Sequence, residues 1–156
     1  MKYTLTILVE NQPGVLSKVV SLFARRGYNI DSLAVGTSED PSVSRMTIVG
    51  EGDDGIIEQV EKQLNKIIPV IKVRRLGAAG DFTSCELMLI KTDNRNIAEI
   101  NGIVELMKAE VVSVTKNSLT IRYAGEHENC ETLYSLLRPY GIREVARSGS
   151  IAIETT

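Results

Sequence analysis

A chain of 156 residues with 43% hydrophobic and 24% charged side chains has the composition of a folded globular protein, and whole-chain disorder is excluded. A formal net charge of −2 offers no general field for nucleic acid or an anionic membrane surface, and five Tyr, two Phe and no Trp supply base-stacking platforms poorly. No apolar run approaches the ~20 residues that a membrane-spanning helix needs.

Tyr3 to Val9 is β-rich and partly alternating and reads as a strand. Val15, Leu16, Val19, Val20, Leu22 and Phe23 then recur at helical spacing, and Gly27 closes that helix. Asn29 to Gly36 reads as a second strand, Thr37 to Pro41 as a polar turn, and Val43 to Val49 as a third strand. Asp53 opens a second helix whose apolar stripe is Ile56, Ile57, Val60, Leu64 and Ile67. Pro69 stops it before a strand from Val70 to Leu76. The order is β-α-β-β-α-β, the split βαβ or ferredoxin-like unit.

Gly77-Ala78-Ala79-Gly80 has the small residues of a linker, and the pattern then resumes. A strand is expected from Cys85 to Thr92 and a helix through Ile97, Ile100, Ile103, Val104 and Met107. Val111 to Thr115 and Ser118 to Tyr123 read as strands about a Lys116-Asn117 turn, and Cys130 to Leu137 as a helix. Ile142 to Arg147 and Ile151 to Ile153 read as two closing strands. The predicted architecture is α+β: two ferredoxin-like βαββαβ domains in tandem, 1–77 and 83–156, with a linker over 78–82. Domains this small bury little core, and their open sheet faces and edges favour at least a dimer.

Asn11-Gln12-Pro13-Gly14 stands at the first strand-to-helix junction. Pro13 fixes its own φ, and Gly14 permits close backbone approach. The amides of Val15 and Leu16 begin a helix without intrahelical partners, which makes an anion site. The Asn11 side chain both donates and accepts. On spacing alone two readings stand: an ordinary Pro-Gly turn with Asn11 capping the helix, or a seat for the carboxylate and ammonium groups of a free amino acid.

Elsewhere the bland readings lead. Arg25-Arg26 ends the first helix, either as a solvated cap or as a contact with a partner protein. His127, the single histidine, lies among Glu126, Glu128, Cys130 and Glu131. A zinc site usually needs four ligands, so this reads as an acidic helix start, and no metal site is expected. Cys85 and Cys130 lack C-x-x-C spacing; without a recognisable secretory leader, two reduced thiols in a cytoplasmic protein are expected. With one histidine, no G-x-S-x-G and no Gly-rich phosphate loop, a stand-alone enzyme is disfavoured.

Residues 8 to 49, "LVENQPGVLSKVVSLFARRGYNIDSLAVGTSEDPSVSRMTIV", resemble the ACT domain of the regulatory (small) subunit of acetohydroxyacid synthase, also called acetolactate synthase. The N-x-P-G turn is generic to ACT domains, whereas R-R-G-Y-N-I-x-S-L with S-R-M-T-I-V is more specific. "ELMLIK", K-A-x-V-V-x-V and "LLRPYGIREVARSG" are similar to that family's C-terminal domain. Asp31, Ala124 and Ser148 depart from the residues usual there. The resemblance implies a chain without catalysis of its own. Its partner would be a large catalytic subunit carrying thiamine diphosphate, Mg²⁺ and FAD. This chain would activate that subunit and confer feedback inhibition by a branched-chain amino acid, valine above all. It also implies a homodimer with effector at the ACT interface. Asn11, Pro13, Gly14 and the amides of Val15 and Leu16 would come from one chain, Asn29 and Ile30 from the other, and Leu16, Ile30 and Val35 would supply apolar wall. An ACT-type sensor acting on another enzyme is the alternative.

Overall fold

The computed structural model describes residues 1–77 and 80–155. Its order is β1 (Lys2–Glu10), α1 (Val15–Arg25), β2 (Ile30–Thr37), β3 (Val43–Glu51), α2 (Asp54–Asn65) and β4 (Val70–Arg75). There follow β5 (Phe82–Asp93), α3 (Ile97–Met107), β6 (Glu110–Val114), β7 (Ser118–Gly125), α4 (His127–Leu137), a 3₁₀ turn (Arg138–Tyr140) and β8 (Ile142–Glu154). Two four-stranded sheets result, ordered β2-β3-β1-β4 and β6-β7-β5-β8, and the expected α+β fold of two βαββαβ units stands.

The chain divides into two compact units: Met1–Thr83 together with the C-terminal segment from Ser150, and Ser84–Gly149. In the first unit β1 runs antiparallel to both neighbours. Tyr3, Leu5, Ile7 and Val9 alternate onto one face and are buried with Val19 and Phe23 of α1 and Ile57, Val60 and Leu64 of α2. The Asp53 carboxylate caps α2 by accepting from the Ile56 amide at 2.8 Å. Gly27, at φ +69°, takes the left-handed conformation just past α1.

In the second unit Met88, Ile90, Leu119 and Ile121 meet Ile100, Val104, Cys130, Leu133 and Leu137 in a separate core. The sequence was expected to break β8 at Ser148-Gly149-Ser150; one strand runs through instead, with Gly149 at φ +79°. Glycine absorbs such a kink without ending a strand. α4 starts at His127, earlier than Cys130, because its polar first turn carries no apolar period to read. Of the expected linker, Ala78 and Ala79 lie outside the described residues, and Phe82 is already in β5.

Burial, then the neighbouring Glu86 charge, pushes the Cys130 thiol from its ordinary 9.0 up to about 11, whereas Cys85 is only half-buried. A raised thiol pKa stabilises the fold below pH 9.0, and that contribution is lost as pH climbs toward 11. At neutral pH iodoacetamide is therefore expected to label Cys85 in the folded chain and Cys130 only after denaturation, read by peptide mass spectrometry; equal labelling rates would contradict this burial. Phe23→Ala, which empties the largest fully buried side chain, is expected to cost about 3–5 kcal/mol in urea unfolding.

Candidate effector site at the β1–α1 junction

At the end of β1 and just past it the chain is fastened on both sides. The Glu10 amide donates to the Pro69 carbonyl at 2.9 Å and the Asn11 amide to the Ser42 carbonyl at 2.8 Å. The Asn11 side chain donates from Nδ2 to the Pro41 carbonyl at 3.0 Å. It therefore ties the β1–α1 turn to the β2–β3 turn and does not cap α1, as one reading of the sequence had it. With Nδ2 engaged, its Oδ1 is the atom left to accept.

Gly14 occupies the N-cap position of α1 at φ 85°, ψ −7°, and no side chain caps the helix. An L side chain is strained there, yet a Cβ built on Gly14 would meet nothing within 4 Å. The strand-to-helix turn therefore needs glycine for its backbone, and the space above it is open. The Val15 amide reaches the Gln12 carbonyl only at 3.4 Å, and the first good helical bond runs from the Lys18 amide to the Gly14 carbonyl at 3.1 Å. The first turn thus has no side-chain cap, and the positive end of the helix dipole lies at this junction. Val15 is buried in the core, while Leu16 is 43% exposed and available as apolar wall.

Asn29 and Ile30 are elsewhere. Ile30 opens β2 opposite Gly50, which in turn faces Tyr3. Val35 pairs with Met46, opposite Ile7, and Thr37 with Ser44, opposite Val9. Asn11 to Leu16 and the end of β2 therefore share one end of the sheet, and Asn29 and Ile30 stand at the other. The separation is the Tyr3-to-Val9 run, about 20 Å at roughly 3.3 Å per residue. The Asn29 side chain donates to Asp31 at 3.1 Å, and Ile30 is half-buried against the core. β2 is an edge strand of its sheet, and Val35 is 45% exposed.

Arg25 and Arg26 end α1 as expected; both are exposed, and no carboxylate among the described residues pairs with either. Arg25 borders a shallow groove with Ser17, Ser21 and Ile67.

His127 has partners that sequence reasoning missed. Its Nδ1 lies 2.8 Å from Oε2 of Glu86, whose carboxylate is nearly inaccessible, and its Nε2 lies 3.8 Å from Glu131. Arg147 on β8 pairs with Glu131, lies 3.6 Å from Oε1 of Glu86, and sits 5.4 Å from the centre of the Tyr134 ring. Burial works to lower the Arg147 pKa, but its hydrogen bond to Glu131 and the charges of Glu131 and Glu86 outweigh it and hold the guanidinium above its ordinary value. The group is a charge network bracing α4 against β5 and β8. Among the described residues no three His, Cys, Asp or Glu side chains converge as a metal would require.

Comparison with known proteins agrees with this architecture. Residues 5–72 match the family described as the AHAS (acetohydroxyacid synthase) small subunit-like ACT domain, and residues 85–156 match the family of the small subunit of acetolactate synthase. The acetolactate synthase small subunit of Mycolicibacterium smegmatis is 48% identical over 153 residues, 97% of this chain and 89% of that one. The probable acetolactate synthase small subunit of Archaeoglobus fulgidus is 43% identical, over 98% of this chain and 96% of its own. The crystal structure of the small subunit from Thermotoga maritima superposes with a TM-score of 0.92 at 36% identity, covering 100% of this chain and 98% of that one. An ACT-type first unit, a matching second unit and relatives aligned along nearly their whole length place this chain in the acetolactate synthase small-subunit family.

Proposed function

We propose that this chain binds the large catalytic subunit of acetolactate synthase in the cytoplasm, raises its activity, and makes it sensitive to a branched-chain amino acid, valine above all. The catalytic subunit would supply thiamine diphosphate, Mg²⁺ and FAD, as the family resemblance implies. The effector would lie where two copies of the first unit meet.

One observation carries the reading. Asn11 and Gly14 stand at one end of the sheet and Asn29 and Ile30 at the other, so one amino acid cannot touch both sets within a single chain. β2 is an edge strand with pairing groups on its outer side. Antiparallel pairing of two β2 edges about a two-fold axis sets the start of one β2 against the end of the other. Asn29 and Ile30 of one copy then come to the Gly14 end of its mate. The effector carboxylate would take the α1 amides over Gly14, and its ammonium group would meet Oδ1 of Asn11. Its branched side chain would lie among Leu16, Val35 and the other copy's Ile30, gaining roughly 1.5–3 kcal/mol on full burial. Occupancy at such a seam changes how the two copies are held, and reciprocity requires the state of the catalytic partner to change effector affinity by the same factor.

In an acetolactate assay with the cognate large subunit, adding this chain is expected to raise the rate and valine to lower it again. Gly14→Asp strains the left-handed turn and sets a like charge where the carboxylate docks; activation is expected to survive and inhibition to vanish. Inhibition unchanged in that variant would move the site elsewhere. Asn29→Ala is expected to weaken valine binding about tenfold in calorimetry, as befits loss of a hydrogen bond to a charged group, while sedimentation still shows a dimer. Full affinity would remove Asn29 from the site.

A further inference from the structure

The sheet of the first unit has a second face, turned away from α1 and α2, and it carries charged side chains that the effector site does not use. β3, β1 and β4 are neighbours, and Arg45, Leu8 and Lys72 stand opposite one another as a row across them. The next row is Thr47, Thr6 and Arg74. Leu8 and Thr6 alternate with the buried Ile7 and Val9, so these rows lie on the side away from the helical core. With Ile153 and Glu154, which belong to the same unit, they enclose a cavity of about 500 Å³. That volume falls within the roughly 300–1,000 Å³ common for small-molecule sites.

The three cations of the cavity are not equally engaged. Arg74 is held by Glu154, with Nε 3.1 Å from Oε1 and Nη1 3.3 Å from Oε2. Arg45 is half-buried and donates from Nη1 to the Thr6 hydroxyl at 2.9 Å, which uses one of its five N–H groups. Among the described residues no carboxylate lies at ion-pair distance from Arg45 or from Lys72. The two flank Leu8 one strand to either side, about 10 Å apart at the ~4.8 Å spacing of neighbouring strands. Long side chains that far apart converge readily on one multivalent anion between them. Glu39, from the β2–β3 turn, also lines the cavity, and among the described residues no cation lies at ion-pair distance from it.

We infer that this cavity binds a small multivalent oxyanion of phosphate type, its charge held between Arg45 and Lys72 and its uncharged part resting on Leu8 and Ile153. A partly desolvated guanidinium with most of its donors unused gains more from such a ligand than a fully hydrated surface cation does. Glu39 offers an acceptor to a hydroxyl or ammonium group on the same ligand and opposes an oxyanion that has none. The cavity lies across the sheet from Gly14, so this inference is independent of where the amino acid effector binds.

The test is calorimetric titration of the full-length chain with sodium pyrophosphate against sodium chloride of matched ionic strength. Saturable binding is expected for pyrophosphate alone. Lys72→Gln changes an exposed side chain and leaves the core untouched, and it is expected to weaken binding about tenfold. Arg45→Gln is expected to do the same. Glu39→Gln is expected to tighten binding, because pyrophosphate has no donor for that carboxylate. Lys62→Gln, on the outer face of α2, is expected to change nothing. Absence of saturable binding, or equal affinity in the wild type and Lys72→Gln, would overturn the assignment. So would a Lys72→Gln variant that loses affinity for the large subunit while the wild type ignores pyrophosphate, since the face would then be a protein contact.

Discussion

β1 is gripped from both sides, by β3 from Lys2 to Glu10 and by β4 from Leu5 to Val9, and its alternation leaves one register open to it. Shifting it by one residue would turn Leu5, Ile7 and Val9 to the outer face and bring Thr4, Thr6 and Leu8 beneath the helices. Almost every feature of the sites proposed for the first unit is measured from that strand. Its far end delivers the Asn11-to-Gly14 turn, and its first residues set the level at which Ile30 enters β2. Its outward residues, Thr6 and Leu8, form the floor between Arg45 and Lys72. A single register thus places an edge, a turn and a charged face at fixed distances from one another.

The second unit reaches the same topology with a different internal brace. Glu86 is nearly inaccessible on β5, where an uncompensated carboxylate would be costly. Here it meets His127 at the start of α4 and Arg147 on β8, so an edge strand and a helix are both fastened to a central strand through one side chain. Such a network specifies geometry more than it adds stability, because desolvation offsets much of the attraction. The start of β1 in the first unit is braced differently, by an ion pair of Lys2 with Asp31 on β2 at 3.0 Å near the surface.

Much of the fold was legible in the residues because period-two and period-3.6 patterns are local. Both βαββαβ units, the helix stop at Gly27 and the cap at Asp53 follow from spacing alone. What escaped was tertiary. Glu86 shares the inward face of β5 with Met88 and Ile90, and what compensates its charge there, His127 41 positions on, emerges only from the fold. Asn11 reads equally well as a helix cap, and only the approach of the Pro41 carbonyl gives its amide a different task. Ser148-Gly149-Ser150 has the composition of a turn, and pairing with β5 carries the strand through it. In the candidate site, the Gly14 turn was readable from its chemistry. That Asn29 stands a sheet's length away in the same chain was not, because distance along a strand emerges only once the register is known.

The open start of α1 has a consequence for the chain's own cohesion. A capping Ser, Asp or Asn side chain ordinarily supplies a partner to the first-turn amides and holds a helix end about a few tenths of a kcal/mol better than glycine, and α1 forgoes it at Gly14. Without a side-chain cap, the first-turn amides turn to solvent for their partners, and solvent exchanges freely. An anion seated there would act as a removable cap, so that amides at the head of α1 trade solvent hydrogen more slowly when the seat is filled. Occupancy would then be written into the rigidity of the helix as well as into the proposed seam between two copies, and a change of order can pass to a partner surface without any visible shift in the backbone.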